Sequence, residues 1–270
     1  MIGYEKYRKA NAAYASGGVT QAVAMLNTNL DLTITEYVCV DWAAVVKAID
    51  ALGGIDLEIT EAEMNQINKY IKDVDKVTGN KSAKLNVYGK VHLDGSQACT
   101  YARIRKLVGD DFKRASRQRI VLQAMLAKAK EADIVELADM CNAIFGEIST
   151  TLTIQEILAM ATYVPKYEIV DTTGFPFELT NKRLPITGDT VIPVELSNNV
   201  EKLHKFLFGN VYYAMSPTVK SISTQIVVNT GIDISSDTID LSSINDTTSK
   251  IGTQSDVNEE MNGGNNETGN

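Results

Sequence analysis

The stretch that decides the fold class covers residues 36–59 and reads EYVCVDWAAVVKAIDALGGIDLEI. Its first five residues are mostly β-branched or aromatic and predict a strand. Asp41 follows as a candidate N-cap for a helix over 42–51. The sequence Leu-Gly-Gly at 52–54 ends that helix, and the alternation at 55–59 predicts a second strand. A strand, a helix, a glycine pair and another strand in succession are typical of an α/β protein.

The same signals extend in both directions along the chain. The glycine pair 17–18 is expected to stop or bend the segment before it. The further predicted elements are a helix from Thr20 towards Leu30, a helix plus a surface excursion over 61–90, a short helix over 96–101, an extended segment over 103–106, a long helix over 111–132, helices over 135–145 and from the Thr153 N-cap to 163, short strands over 168–194 and a terminal helix over 200–207. The long helix has Val121, Leu122, Met125, Leu126 and Ala129 as its predicted apolar face.

The composition is that of a globular protein, and its acidity is confined to one end. The 270 residues are 44% hydrophobic and 22% charged, which excludes a collagen-like, coiled-coil or wholly disordered protein. Residues 233–270 hold eight acids against Lys250, which is −7 of the net charge of −8. Since this segment is also dominated by Ser, Thr, Asn and Gly, it is predicted to be a disordered tail, after one domain over 1–232.

Several classes of protein are disfavoured by the sequence. The three cysteines are widely separated, which excludes a zinc knuckle and a dense disulfide framework. The N-terminus has no signal-peptide pattern, and no apolar run reaches the ~18 residues that a membrane span needs. His92 and His204 are isolated, so no histidine chemistry is predicted.

One segment of the chain concentrates positive charge. Five of the seven arginines lie in residues 103–119, where the net charge is +5 in an otherwise nearly neutral body. In an extended 103–106 segment Arg103 and Arg105 project from one face. In the long helix Arg114 lies three and four residues before Arg117 and Gln118, so the three share a face.

These arginines predict a binding site for an anion with several oxygens, such as a pyrophosphate. A helix N-terminus favours anions, and guanidinium groups bind phosphate oxygens in a bidentate manner. A solvated helix face is the alternative, and it accounts for Lys106, Lys113 and Arg119. Nucleic acid is a weaker use of the same charge because only Phe112 lies among the arginines as an aromatic.

Several short motifs, taken in order, resemble those of the LytR–CpsA–Psr family of cell-envelope proteins. They are KANAAY at 9–14, GG at 17–18, ALGGID at 51–56, LDG at 93–95, YARIR at 101–105 and DFKRASRQ at 111–118. The resemblance covers about residues 5–135, and residues 168–232 resemble the extension found in some members.

The resemblance implies an α/β fold with a mixed sheet sandwiched between helices, and a long apolar groove for a polyprenyl chain. It also implies a transferase of cell-wall biogenesis at the extracellular face of the membrane. Such an enzyme moves a glycopolymer, for example teichoic acid, from an undecaprenyl-pyrophosphate carrier to peptidoglycan. A phosphodiester forms and polyprenyl phosphate leaves.

Residue roles follow from the resemblance, position by position. Arg103, Arg105 and Arg114 are expected to bind the pyrophosphate with help from Gln118, and Lys9 to lie near the phosphates. Arg117 is included through its shared face with Arg114. Asp111 is a candidate catalytic base for the acceptor hydroxyl, although an acid at a helix start also serves as an N-cap, and it can do both.

The sequence also departs from the family pattern. A transmembrane anchor, an acidic segment that holds Mg²⁺ and an Arg-Asp pair are expected ahead of the lysine motif, whereas only eight residues precede Lys9. We interpret the chain as a fragment of a longer gene product or as a degenerate member. A non-catalytic binder of polyprenyl phosphates, or a regulator of envelope genes such as a transcriptional attenuator, is therefore the alternative function. A plain α/β protein with an adventitious phosphate site is a third.

Overall fold

The computed structural model of the chain describes residues 8–105, 110–209, 212–239 and 250–251. The helices are α1 (Ala12–Leu30), α2 (Trp42–Ala51), α3 (Glu61–Thr78), α4 (Gly95–Ala102), α5 (Asp110–Glu131), α6 (Ile134–Phe145), α7 (Ile154–Ala161), α8 (Leu196–Phe208) and α9 (Pro217–Thr230). The strands are β1 (Val38–Val40), β2 (Ile55–Ile59), β3 (Gly89–Leu93), β4 (Ile148–Thr150), β5 (Leu179–Leu184), β6 (Gly188–Pro193) and β7 (Lys250–Ile251). A short 3₁₀ turn, Val164–Lys166, follows α7. The predicted α/β class is confirmed.

The chain divides into two compact units, although the sequence predicts one domain over 1–232. The smaller unit consists of residues 1–37 and 173–240, and the larger of residues 38–172 and 241–270. Within the described ranges, no helix combines the length and the apolar character that a membrane span requires.

The core of the larger unit forms around β2. Ile55, Asp56 and Leu57 are consecutive and all buried. Because successive strand residues point to opposite faces, both faces of β2 are covered. The covering residues come from four helices and include Ile49, Ile67, Ala98, Tyr101, Ile120, Val121 and Ala124. The predicted packing of a sheet between helices is confirmed here.

The strand pairings differ from the predicted mixed sheet. Among the described strands β2 pairs with β3 and β7, β1 with β4, and β5 with β6, and each of these pairs is antiparallel. For β2 and β3 the physical reason is that α3 and the 79–88 excursion return the chain alongside β2 in the opposite direction. The sequence prediction placed all of 61–90 in a helix and an excursion and assigned no strand after it, and so missed β3.

The segment that predicts the fold class folds as expected. The Asp41 carboxylate accepts a 2.8 Å hydrogen bond from the Ala44 backbone N–H and caps α2. Gly54 has φ of +91°, and a Cβ there would lie 2.8 Å from the Leu93 carbonyl oxygen. A side chain at this turn would therefore meet both backbone strain and the neighbouring strand.

The smaller unit packs α1, α8 and α9 together. Its core contains Leu30, Leu196, Val200, Leu203, Val219 and Ile222. Helix α1 bends at the predicted glycine pair, where Gly17 and Gly18 leave helical geometry. The sequence prediction missed α9, although the N-cap Ser216 followed by a proline at the first helical position is a start signal.

The acidic tail is described only in part. The Ile239 N–H donates a 2.9 Å hydrogen bond to the Leu179 carbonyl, which ties the start of the tail to β5. Strand β7 pairs with Leu57 and Glu58 of β2. At these positions the chain is paired rather than disordered as predicted. Residues 233–236 also form a turn, in which the Ser236 N–H donates a 2.9 Å hydrogen bond to the Asp233 carbonyl. The tail residues 240–249 and 252–270 lie outside the described residues.

Asp31 holds the end of α1 to the start of α9. Its carboxylate accepts hydrogen bonds from the Tyr213 hydroxyl at 2.5 Å, the Ser216 N–H at 2.9 Å and the Ser216 hydroxyl at 2.6 Å. Burial by itself raises the pKa of the Asp31 carboxyl, but the hydrogen bonds from Ser216 and Tyr213 outweigh burial and lower that pKa.

We therefore expect Asp31→Asn to cost stability in a pH-dependent way. At pH 7 the loss should be about 1–3 kcal/mol, as for hydrogen bonds to a charged group. A lowered pKa in the folded state contributes stability above the unfolded value of about 4, and that contribution disappears as the pH falls further. Urea unfolding at pH 7 and at pH 3 measures the loss of stability at each pH, with exposed Asp237→Asn as control. An equal loss at the two pH values would contradict the assignment.

Candidate functional site

The two central arginines lie where α4 ends. All eight residues of α4 are buried, and Arg103 is its C-cap with φ −97° and ψ −5°. The predicted extended conformation is therefore wrong at Arg103, because its N–H continues the helical bonding to the Thr100 carbonyl at 3.1 Å. Ile104 is only 4% exposed, whereas Arg103 and Arg105 on either side are exposed. The buried isoleucine thus anchors a segment that presents two guanidinium groups to solvent.

Trp42 supports the first of these arginines. The guanidinium carbon of Arg103 lies 5.3 Å from the centre of the Trp42 ring, within the range of a cation–π contact. Trp42 is the first residue of α2, and Asp41 fixes that helix start by capping it. The sequence prediction missed this tryptophan, since nothing local links it to an arginine 61 positions later along the chain.

Arg117 has different surroundings from those expected of a pyrophosphate ligand. It is 3% exposed, and its Nε donates a 2.9 Å hydrogen bond to Oε1 of the equally buried Glu63. Its guanidinium also lies 6.0 Å from the centre of the Tyr101 ring. The sequence prediction missed Glu63, although Thr60 and Glu63 show the spacing of a capping box, which the structure contains.

The structure describes the side chains of only some of the other predicted site residues in α5. Arg114 and Gln118 are half-buried and four residues apart, so they share a face of the helix. Asp111 is the second residue of α5, which begins at Asp110, so the backbone does not place Asp111 at the N-cap. Its side chain lies outside the described residues, as does Lys106.

Lys9 belongs to the smaller unit and is described there by itself. It is exposed, and its Nζ donates a hydrogen bond to the backbone carbonyl of Asp189 on β6. The predicted arginines and Gln118 all belong to the larger unit. The geometry of the candidate site is therefore that of the α4–α5 region.

Two of the three cysteines, Cys99 and Cys141, are buried. Burial raises the pKa of the Cys99 thiol to about 12, although the positive charge of Arg103 opposes the shift. Burial also raises the pKa of the Cys141 thiol. Both thiols therefore stay protonated at neutral pH and are unsuited to act as nucleophiles.

The described residues do not fit the expected magnesium ion. Within the described ranges, no three or more His, Cys, Asp or Glu side chains form a group that could hold a metal. We therefore assign no step to Mg²⁺. The apolar groove that the resemblance implies for a lipid chain stays a prediction.

The arrangement is suited to binding an oxyanion at the surface. The two exposed arginines have one residue between them, and each offers several N–H donors. That intervening residue, Ile104, is buried and fixes the backbone between them. Groups fixed in this way can neutralise charge that develops on phosphate oxygens without reorganising during the reaction.

Comparison with known proteins gives a consistent result. Residues 1–204 match the model of the LytR_cpsA_psr family. The polyisoprenyl-teichoic acid–peptidoglycan teichoic acid transferase TagU of Bacillus anthracis is 32% identical over 162 residues, which are 59% of this chain and 48% of TagU. The transferase TagV of Bacillus subtilis strain 168 is 30% identical over 156 residues, 56% of this chain and 37% of TagV. The chain thus spans about half the length of the curated relatives or less.

Solved structures agree with the sequence matches. The crystal structure of Bacillus subtilis TagV superposes with a TM-score of 0.58 at 25% identity, and the match covers 80% of each chain. A transcriptional regulator from Enterococcus faecalis superposes with a TM-score of 0.64 at 21% identity, over 87% of this chain and 81% of that one. The second match supports the fold alone.

Proposed function

Since this chain belongs to the LytR_cpsA_psr family, we propose that it is the whole or a part of a glycopolymer–peptidoglycan phosphotransferase. Its relatives TagU and TagV are named as transferases of teichoic acid to peptidoglycan. The observation that carries the proposal is the exposed pair Arg103 and Arg105, which flanks buried Ile104 at the end of α4. The substrates are a glycopolymer on a polyprenyl-pyrophosphate carrier and a hydroxyl of peptidoglycan.

The reaction needs charge neutralisation and one proton transfer. The acceptor hydroxyl oxygen attacks the phosphorus that bears the glycan, and the bond from this phosphorus to the bridging oxygen breaks. A glycan phosphodiester forms, and polyprenyl phosphate leaves with the electron pair. Arg103, Arg105 and Arg114 bind the pyrophosphate oxygens, where charge builds up as the bridge breaks.

The remaining residues have supporting roles in this proposal. Asp111 accepts the proton of the attacking hydroxyl, Gln118 donates a hydrogen bond to a phosphate oxygen, and Lys9 adds positive charge near the phosphates. Because both substrates belong to the outer side of the cytoplasmic membrane, we place the reaction there. The protein then meets the membrane through the lipid of its substrate.

The double variant Arg103→Ala, Arg105→Ala tests the proposal. Each lost charge-assisted contact should cost about 1.5–3 kcal/mol, so pyrophosphate binding should weaken by about 100-fold or more. Isothermal titration with inorganic pyrophosphate measures the binding. Release of polyprenyl phosphate from a glycan-linked carrier measures turnover, which should be lost.

A matched control removes two positive charges elsewhere. Lys81 and Arg183 are both exposed and lie outside the α4–α5 region, so Lys81→Ala, Arg183→Ala should bind and turn over like the unchanged protein. Unchanged turnover in the Arg103, Arg105 variant would refute the proposal. Copurified polyprenyl lipid in extracts, together with no turnover in any form, would favour the non-catalytic binder.

A further inference from the structure

The positive charge of Arg117 is already neutralised inside the protein. Its side chain is 3% exposed, and that of Glu63 is 4% exposed, with 2.9 Å between Nε and Oε1. An ion pair removed from solvent to this extent leaves no path for a second anion to reach the guanidinium without breaking the pair. Arg117 is thus unsuited to the role of a pyrophosphate ligand.

Glu63 in turn is fixed by a second set of contacts. Its Oε2 accepts hydrogen bonds from the Thr60 N–H and the Thr60 hydroxyl, both at 3.1 Å, in the capping box that begins α3. The carboxylate therefore uses one oxygen to start α3 and the other to hold Arg117. A guanidinium held in this way has a set position and orientation.

The other end of Arg117 faces the arginine-bearing segment. Its Nη1 lies 3.5 Å from the Ile104 carbonyl oxygen, at the long limit of a hydrogen bond, and its guanidinium is 6.0 Å from the Tyr101 ring centre. Ile104 is the residue between the two exposed arginines. The contacts of Arg117 thus connect α3, α4 and α5 at the point where Arg103 and Arg105 are presented.

We propose that Arg117 and Glu63 are positioning residues that hold the Ile104 peptide and thereby aim Arg103 and Arg105 at the pyrophosphate. This inference rests on the proposed function. It assigns Arg117 no contact with the substrate, in contrast to the prediction from the sequence. The pair acts through the backbone between the two ligand arginines.

The variant Arg117→Lys tests the inference in the full chain. Lysine keeps a positive charge beside Glu63, but its single nitrogen cannot span both Glu63 and the Ile104 carbonyl. We expect inorganic pyrophosphate to bind about tenfold more weakly. We also expect the amides of Arg103, Ile104 and Arg105 to exchange hydrogen at least several-fold faster without ligand.

Two further variants separate positioning from general destabilisation. Ile71→Val trims a buried side chain of α3 and should lower the melting temperature with no change in pyrophosphate affinity or in exchange at 103–105. If Arg117→Lys does not fold, the double replacement Glu63→Leu, Arg117→Met removes both charges together. It should show the same two changes, since it also lacks the contact to Ile104.

The outcomes distinguish this inference from the proposed function. Weaker binding with unchanged exchange at 103–105 would make Arg117 a direct ligand and overturn the inference. Unchanged exchange with unchanged binding would overturn it as well. If the unchanged protein binds no pyrophosphate, the proposed function fails, whereas the exchange rates still decide whether Arg117 holds the segment.

Discussion

Glu63→Leu is expected to lower the free energy of unfolding of the larger unit by about 3–5 kcal/mol. The substitution leaves Arg117, which is 3% exposed, as a buried charge without its carboxylate. It also removes the acceptor for the Thr60 N–H and so opens the capping box of α3. The physical cause is the cost of keeping a guanidinium out of water with no opposite charge nearby.

Trp42 offers a direct measurement of this loss. It is the single tryptophan of the chain and lies in the larger unit, so its fluorescence during urea unfolding reports on that unit. Adding Arg117→Met to Glu63→Leu should recover much of the lost stability, because the orphaned charge is then removed.

A matched control breaks an exposed pair. Lys47 and Glu147 are 2.5 Å apart with side chains 48% and 40% exposed, so Glu147→Leu should cost less than about 1 kcal/mol. A Glu63→Leu protein as stable as this control would contradict the claim that the buried pair is tightly coupled.

Gly95→Ala should also lower the free energy of unfolding of the larger unit, by about 3 kcal/mol or more. A Cβ at Gly95 would lie 2.3 Å from the Val46 carbonyl oxygen and 2.9 Å from an Asp50 carboxylate oxygen. Helices α2 and α4 approach each other through this glycine, whose N–H donates a 2.7 Å hydrogen bond to Asp50. The methyl group would separate the helices and strain the α4 segment that ends at Arg103.

The same fluorescence measurement tests this prediction, with Gly146→Ala as control. Gly146 ends α6 in a helical conformation, and a Cβ there meets no atom within 4 Å. Alanine at this position should be neutral or stabilising by up to about 1 kcal/mol. A Gly95→Ala protein with a similarly unchanged midpoint would show that α2 and α4 do not need the close approach.

Local signals in the sequence were sufficient for many elements. The Asp41 cap, the bend at 17–18 and the start of α7 at Thr153 depend on residues within about four positions, and each is confirmed. Short strands were harder to predict. Strand β3 has only five residues and includes Lys90 and His92, so its weak apolar pattern merged with the preceding polar excursion.

The periodicity of α5 contained information that the prediction did not use. Arg117, Ile120, Val121 and Ala124 follow helical spacing and are all buried, so Arg117 lies on the apolar stripe. Leu122, assigned to the apolar face, is 62% exposed because it points away from that stripe. The spacing of Arg117 from Arg114 and Gln118 was real, but it did not say which face meets the core.

The sequence by itself determined the α/β class, the motif order that marks the family and the positive charge around residues 103–119. These depend on local spacing and composition, which are properties of the chain before it folds. Only the tertiary structure decided which arginines face solvent and which is held by a carboxylate. Glu63 and Arg117 are 54 positions apart, and a pairing over that distance exists only when α3 and α5 have packed together. Arg103 and Arg117 have chemically identical side chains but different roles because their burial differs. Only the solvated guanidinium of Arg103 remains available to an anion.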